Sequence, residues 1–108
     1  MKMIQAIIRP EKVSVVLEQL ALSGFHAATK NSVLGRGKQQ GIIVGGVHYD
    51  EVLKECVTIV IEDSDFDTVV GIISRNSRTG EKGNFGDGKI FVLPVERAFT
   101  ISTGEERL

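Results

Sequence analysis

The stretch Gly83-Asn84-Phe85-Gly86-Asp87-Gly88-Lys89 satisfies the spacing G-x-x-x-x-G-K. Closely spaced glycines let backbone N–H groups converge on an anion, and the lysine adds a point charge suited to phosphate. It is not the phosphate loop of the nucleoside triphosphatases. Ile90 stands where Ser or Thr would hold magnesium, and a strand rather than a helix is predicted to follow. The plain alternative is a glycine-rich turn with a solvated lysine. Gly35-Arg36-Gly37-Lys38-Gln39-Gln40-Gly41 carries three glycines and two cations but lacks G-x-G-x-x-G spacing, so it is no dinucleotide fingerprint. It reads either as the base of an arm offering backbone donors and a Gln amide to a ligand, or as a basic hairpin tip.

Other reactive side chains lack the company that chemistry needs. Lys54 flanks a predicted strand and has a role only if a ligand carboxylate lies beside it. Cys56, the single cysteine, has no nearby His and reads as a small strand residue. One cysteine also excludes an intramolecular disulfide and a Cys-based zinc site. His48-Tyr49-Asp50-Glu51 are adjacent and so diverge, unlike metal ligands on one face. Asp63, Asp65 and Asp67 start like a calcium loop, but hydrophobic residues follow where its Gly and late Glu belong. No catalytic triad or carboxylate pair emerges.

The chain has 108 residues, 13 Lys+Arg against 14 Asp+Glu, and a formal charge of −1. This length suits one domain, residues 1–108, and the balanced charge argues against a nucleic-acid binder or a polybasic membrane-surface protein. No stretch approaches the roughly 20 apolar residues of a membrane helix, and a cytoplasmic location is expected.

The elements that must position these residues follow a repeated order. Met1–Arg9 is an Ile-rich apolar run expected to form a strand buried on both faces. Pro10 opens a helix, Val13, Val16, Leu17, Leu20 and Ala21 share one face of it, and Gly24 stops it. Residues 26–34 read as a second strand. Cys56–Glu62 is a β-branched third strand, Ser64 and Asp67 have capping-box spacing, and Phe66, Val69, Val70 and Ile73 mark a second helical face. Ile90–Leu93 is a fourth strand, and a tail strand is expected near Phe99–Ser102. This predicts an α+β fold, a ferredoxin-like βαββαβ sandwich. Two segments are left over: a long insertion from Gly35 to about Lys54, and a glycine-rich connection at 79–89. Long loops on small domains are usually functional.

Together these segments resemble the PII nitrogen-signalling family (GlnB/GlnK-like) from end to end. Met1-Lys2-Met3-Ile4-Gln5-Ala6-Ile7-Ile8-Arg9-Pro10 is similar to its N-terminal signature. Gly35–Gly41 resembles the base of its T-loop (about 37–53), and Thr79-Gly80 with Gly86-Asp87-Gly88-Lys89-Ile90-Phe91-Val92 resembles its B-loop (about 79–89). Thr103-Gly104-Glu105 resembles its C-loop (about 99–108). The resemblance implies a non-enzymatic trimer with ATP or ADP in clefts between subunits, and 2-oxoglutarate bound beside ATP through a shared Mg²⁺. It implies nucleotide contacts at Thr29, Gly37, Lys38, Gln39, Gly86, Asp87, Gly88, Lys89, Thr100 and Ser102. It implies 2-oxoglutarate contacts at Gln39, Gln40, Gly41, Lys54 and Gly86, with Gln39 also on the magnesium.

The chain departs from the family pattern in four places. The T-loop is short, and Tyr49 does not align with the tyrosine modified there. Glu81-Lys82-Gly83-Asn84-Phe85 lengthens the B-loop. Lys38 replaces an arginine and lacks its planar fork. Thr100 and Ser102 replace the two C-loop arginines, and alternation along a tail strand would set both on one face. The short arm most resembles the nitrogenase-associated branch, which implies a homotrimer or a mixed assembly with a PII paralogue that acts on dinitrogenase. A PII-like sensor with altered or nucleotide-only ligands is the first alternative. The second, an acylphosphatase-like hydrolase on the same fold, would use Arg9 as its anion-binding group.

Overall fold

The computed structural model describes residues 1–36, 42–44, 47–49 and 51–108, with backbone alone at 42–44 and 47–49. Strand β1 (Lys2–Ile8) lies inside a four-stranded sheet ordered β2–β5–β1–β6, where β2 is Ala28–Gly35, β5 is Val52–Ile61 and β6 is Gly88–Pro94. All three pairings are antiparallel. A separate hairpin, β3 (Ile42–Val44) with β4 (Val47–Tyr49), occupies the connection between β2 and β5. Helices α1 (Val13–Leu22) and α2 (Phe66–Ser77) pack on one face of the sheet. The fold is the α+β, ferredoxin-like sandwich expected from the order of elements. No helix among the described residues is long and apolar enough to cross a membrane.

Strand alternation makes the core. Ile4, Ala6 and Ile8 of β1 and Val57, Ile59 and Ile61 of β5 turn toward the helices and are almost fully buried. Val13, Val16 and Leu20 of α1 and Val69, Ile72 and Ile73 of α2 meet them. Each such side chain contributes about 1.5–3 kcal/mol through burial. The opposite face is uncovered, so β1 is buried on one face and not on both as its Ile-rich run suggests: Met3, Gln5 and Ile7 share the uncovered face with Cys56, Thr58, Val60, Phe91 and Leu93. Phe91 and Leu93 are 47% and 41% exposed there.

Gly24 ends α1 as expected. At φ +92° it places its own N–H on Ala21 O (3.0 Å) and the Phe25 N–H on Leu20 O (2.8 Å), the paired bonds of a Schellman stop. Other local expectations are corrected. Pro10–Lys12 forms a 3₁₀ turn before α1, and Asp63–Asp65 forms one before α2, with no side-chain cap at either helix. The Ser64–Asp67 capping box does not form, because Ser64 lies inside the 3₁₀ turn and Asp65 stands at the N-cap of α2 without a side-chain bond, while Asp63 faces the N-terminal ammonium at 3.2 Å. The third core strand begins at Val52 rather than Cys56, and β2 includes Gly35. Pairing of Val33 with Lys54, Leu34 with Leu53 and Gly35 with Val52 carries both strands beyond the buried core. Ladder hydrogen bonds, unlike burial, leave no hydrophobic pattern to read.

The tail strand is reduced to one bridge, Phe99 with Glu106. Thr100 N–H donates to Glu105 O (2.9 Å), Gly104 N–H to Thr100 O (2.8 Å), and Gly104 takes φ +72°. The chain therefore reverses at 101–103, and the alternation expected to align Thr100 with Ser102 does not apply.

Candidate functional site

Asp87 organises the glycine-rich connection. Its Oδ1 accepts bonds from Arg9 Nε (3.1 Å) and Thr79 Oγ1 (2.8 Å); its Oδ2 accepts from the backbone N–H of Thr79 (3.1 Å) and of Asn84 (2.8 Å). Asn84 Nδ2 donates to Thr79 Oγ1 at 2.9 Å and closes the ring. Burial pushes the Asp87 carboxyl up. The Asn84 and Thr79 bonds and Arg9 outweigh that and hold it well below the usual carboxylate range. Asp87 is thus an anion whose lone pairs are committed to Arg9, Thr79 and Asn84, so its work is to shape the loop.

Two cations fasten the loop to the sheet. Arg9, immediately after β1, donates through Nη2 to Phe85 O at 2.9 Å. Lys54, the third residue of β5, donates its Nζ to Gly86 O. The Lys54 pKa is lowered by burial and then by Arg9, while Glu11 and Asp87 pull it back upward. Arg9 and Lys54 therefore repel across a small space that an anionic ligand would neutralise.

The glycines have specific geometric causes. Gly88, at φ +120°, starts β6 so close to β1 that a Cβ would sit 2.0 Å from Ile7 O. Gly86, at φ +91°, brings its backbone to Arg9, whose Nη2 would lie 3.1 Å from a Cβ there. Lys89 pairs with Ile7 and so follows the uncovered face of the sheet. At one end of the sheet the fold thus gathers Arg9, Lys54, Gly86, Asp87, Gly88 and Lys89: three cations around a loop of exposed backbone.

The remaining expected residues lie elsewhere. Thr29 is on β2, the far edge strand, opposite Thr58. Three inter-strand spacings of about 4.8 Å put it roughly 14 Å across the sheet from β6. Thr100 and Ser102 follow the other end of β6, where Val95 N–H bonds Met1 O. In that tail, Arg97 Nε pairs with Glu106 Oε1 at 2.5 Å and the guanidinium lies 4.9 Å from the Phe99 ring centre. Arg107 faces Glu105 at 3.4 Å, so the tail's arginines meet its own glutamates. Gly37, Lys38, Gln39, Gln40 and Gly41 lie outside the described residues, and with Gln39 so does the expected magnesium contact.

Sequence reasoning gave Arg9 a role only in the hydrolase alternative and left Thr79 and Asn84 without one. The available signal was an aspartate between two loop glycines, since a carboxylate there must find donors. Thr79 and Asn84, eight and three residues earlier, supply them.

The chain matches the family described as "Nitrogen regulatory protein P-II" over residues 1–105. It is 51% identical over 108 residues to "Nitrogen fixation nifHD2 region GlnB-like protein 1" of Methanosarcina barkeri, covering 100% of both chains. It is 49% identical over 105 residues to "Nitrogen fixation nifHD region GlnB-like protein 1" of Methanothermococcus thermolithotrophicus, covering 97% of each. A "GlnB-like protein 2" of that organism is 41% identical over 123 aligned positions, covering 97% of this chain and 94% of its own.

Proposed function

The chain belongs to the nitrogen regulatory P-II family, and from that premise we propose that it binds ATP or ADP and 2-oxoglutarate between subunits and regulates a nitrogenase component by direct contact. The observation that carries this reading is the loop at 79–89. It is built around Asp87 with its glycine backbone open and with Arg9, Lys54 and Lys89 at hand, which is a receptor for phosphate. Gly86 and Gly88 bring main-chain N–H groups near the phosphates, Lys89 supplies charge, and Lys54 meets a carboxylate of the 2-oxo acid. Gln39 would hold a magnesium ion, which would supply positive charge for ATP and the 2-oxo acid.

The placement of Thr29, Thr100 and Ser102 away from the loop supports a site completed by a second copy. The uncovered sheet face supports the trimer that such a site requires. The names of the relatives, which refer to nitrogen-fixation regions, support dinitrogenase as the target. A second PII-like chain in a mixed assembly fits the "GlnB-like protein 2" relative.

Calorimetric titration tests the reading. ATP alone is expected to bind weakly, and Mg²⁺ with 2-oxoglutarate to tighten it markedly. The gain must be reciprocal between the two ligands. Lys54→Ala should abolish the gain, and because Lys54 also holds Gly86 O it should weaken ATP measured alone by a smaller factor. Absence of coupling in the wild-type chain, with and without its paralogue, would remove 2-oxoglutarate from the reading. The alternative of a sensor with altered or nucleotide-only ligands draws on the tail: Thr100 and Ser102 are neutral, and Arg97 and Arg107 face glutamates. Nucleotide binding without 2-oxoglutarate coupling is its signature.

A further inference from the structure

The charges of this chain nearly balance in number, yet the fold separates them. At one end of the sheet, Glu62, Asp63, Asp65 and Asp67 lead into α2, and Glu96, Glu105 and Glu106 follow in the tail, against Lys2, Arg97 and Arg107. That end is acidic. The other end, where β1 stops and β5 and β6 begin, is basic. Besides Arg9, Lys54 and Lys89 of the candidate site it carries Arg75, Arg78 and Lys82, against Glu11, Glu81 and the committed Asp87. Arg75, Arg78 and Lys82 are exposed, and among the described residues none of the three pairs with a carboxylate. The dipole of α2 accounts for Arg75 and Arg78, but its pull fades within a turn and leaves Lys82, beyond the helix, without a cause.

Phe85, 81% exposed, stands beside Arg78 and Lys82 on the helix side of the loop. Its backbone is pinned: Phe85 O accepts from Arg9 Nη2 at 2.9 Å, and the preceding N–H, of Asn84, donates to Asp87 Oδ2 at 2.8 Å. The stem of Arg78 packs on Gly83, where a Cβ would sit 3.0 Å from Arg78 Cγ. An aromatic ring and an arginine are the residues enriched at the centres of protein contacts, and prior ordering lowers the entropy lost on docking. Alternation sends Phe91 and Leu93 to the uncovered sheet face, whereas Arg78, Lys82 and Phe85 lie on the side of α2. A copy that covers the sheet therefore leaves them outside.

We propose that Arg78, Lys82 and Phe85 form a docking surface for a second protein, one that presents carboxylates around an apolar recess. The recess takes the Phe85 ring, and the carboxylates face Arg78 and Lys82. Nucleic acid fits less well, because Glu81 lies within the patch and a chain of net charge −1 lacks the cation excess that a phosphate backbone demands. The surface goes beyond the function proposed above, since neither the arm nor a bound ligand takes part in it.

The test uses the full-length chain without nucleotide or 2-oxo acid, so its failure and the failure of that function are separate results. The probe is a fluorescent copolymer of glutamate and tyrosine, followed by anisotropy, with oligothymidylate as the nucleic-acid arm. Saturable binding of the copolymer is expected in about 0.1 M NaCl, where charges act over about 10 Å, and its loss in about 1 M, where they act over about 3 Å. Arg78→Glu combined with Lys82→Glu should weaken it roughly tenfold or more, and Phe85→Ser by a smaller factor. Lys2→Glu combined with Arg107→Glu makes the same change of net charge at the opposite end and should leave the affinity as it is. No binding by the wild-type chain, equal loss in the two double variants, wild-type affinity in Phe85→Ser, or tighter binding of oligothymidylate than of the copolymer overturns the proposal.

Discussion

Lys89 and Asp87 sit two residues apart and do opposite work. Lys89 is exposed and free to meet a ligand, whereas Asp87 is committed to its neighbours. Lys89→Ala is therefore expected to leave the circular dichroism unchanged and to weaken ATP binding. The loss of a charge-assisted hydrogen bond is about 1.5–3 kcal/mol, or roughly ten- to a hundredfold in affinity; an unchanged calorimetric affinity would contradict the nucleotide reading. Asp87 predicts a pH response. Its folded pKa lies below the unfolded value of about 3.9, so its contribution to stability is fully present above that value. It is lost as pH falls through the folded pKa. Protection of the Thr79 and Asn84 amides from hydrogen exchange, corrected for intrinsic rates, should hold from neutrality down to about pH 4.5 and decay only in stronger acid. Decay between pH 7 and 5 would show that another group orders the loop.

At the scale of elements, the junction of the loop with β6 is the tightest point of the site. Gly80 and Gly88 both have positive φ, but only Gly88 has backbone where a side chain would go. Gly80→Ala should cost no more than about 1–3 kcal/mol of backbone strain. Gly88→Ala adds a Cβ overlapping Ile7 O, so either β6 moves off β1 or the loop shifts. It should lose more stability than Gly80→Ala in urea unfolding, and nucleotide affinity with it. Equal effects of the two substitutions would mean that the β1–β6 junction yields easily. At the same junction Asp87 and Arg9 hold the loop backbone in place ahead of the strand.

For the whole molecule, the decisive feature is a sheet covered on one face only. A sandwich of this size leaves Phe91, Leu93, Val60 and Met3 on a face that water does not favour, and a second copy is the covering that family membership supplies. Light scattering should return a trimer or larger mixed assembly. Leu93→Lys, placing a charge on that face, should shift the mass toward 11.8 kDa. A stable wild-type monomer would remove both the oligomer and any site shared between subunits.

Much of this was legible in the residues alone. The Ile-rich run of β1, the 3.6-period faces of α1 and α2, and Gly24 as a helix stop determined the order of elements, because burial and positive φ leave marks in residue type. The Gly86-Asp87-Gly88-Lys89 string likewise marked the tight glycine-rich connection before β6. Tertiary structure decided what depends on pairing and direction. Lys54 lies inside β5 rather than before it, because ladder partners on β2 extend the strand past the core. The tail turns back on itself, so Thr100 and Ser102 do not share a strand face. Asp87 is the loop's internal anchor and Arg9 its clamp, since 78 residues of chain separate two groups that only the β1–β6 pairing brings to 3.1 Å. Local preference is written residue by residue, whereas a hydrogen bond between distant residues exists only once the fold has set both ends in place.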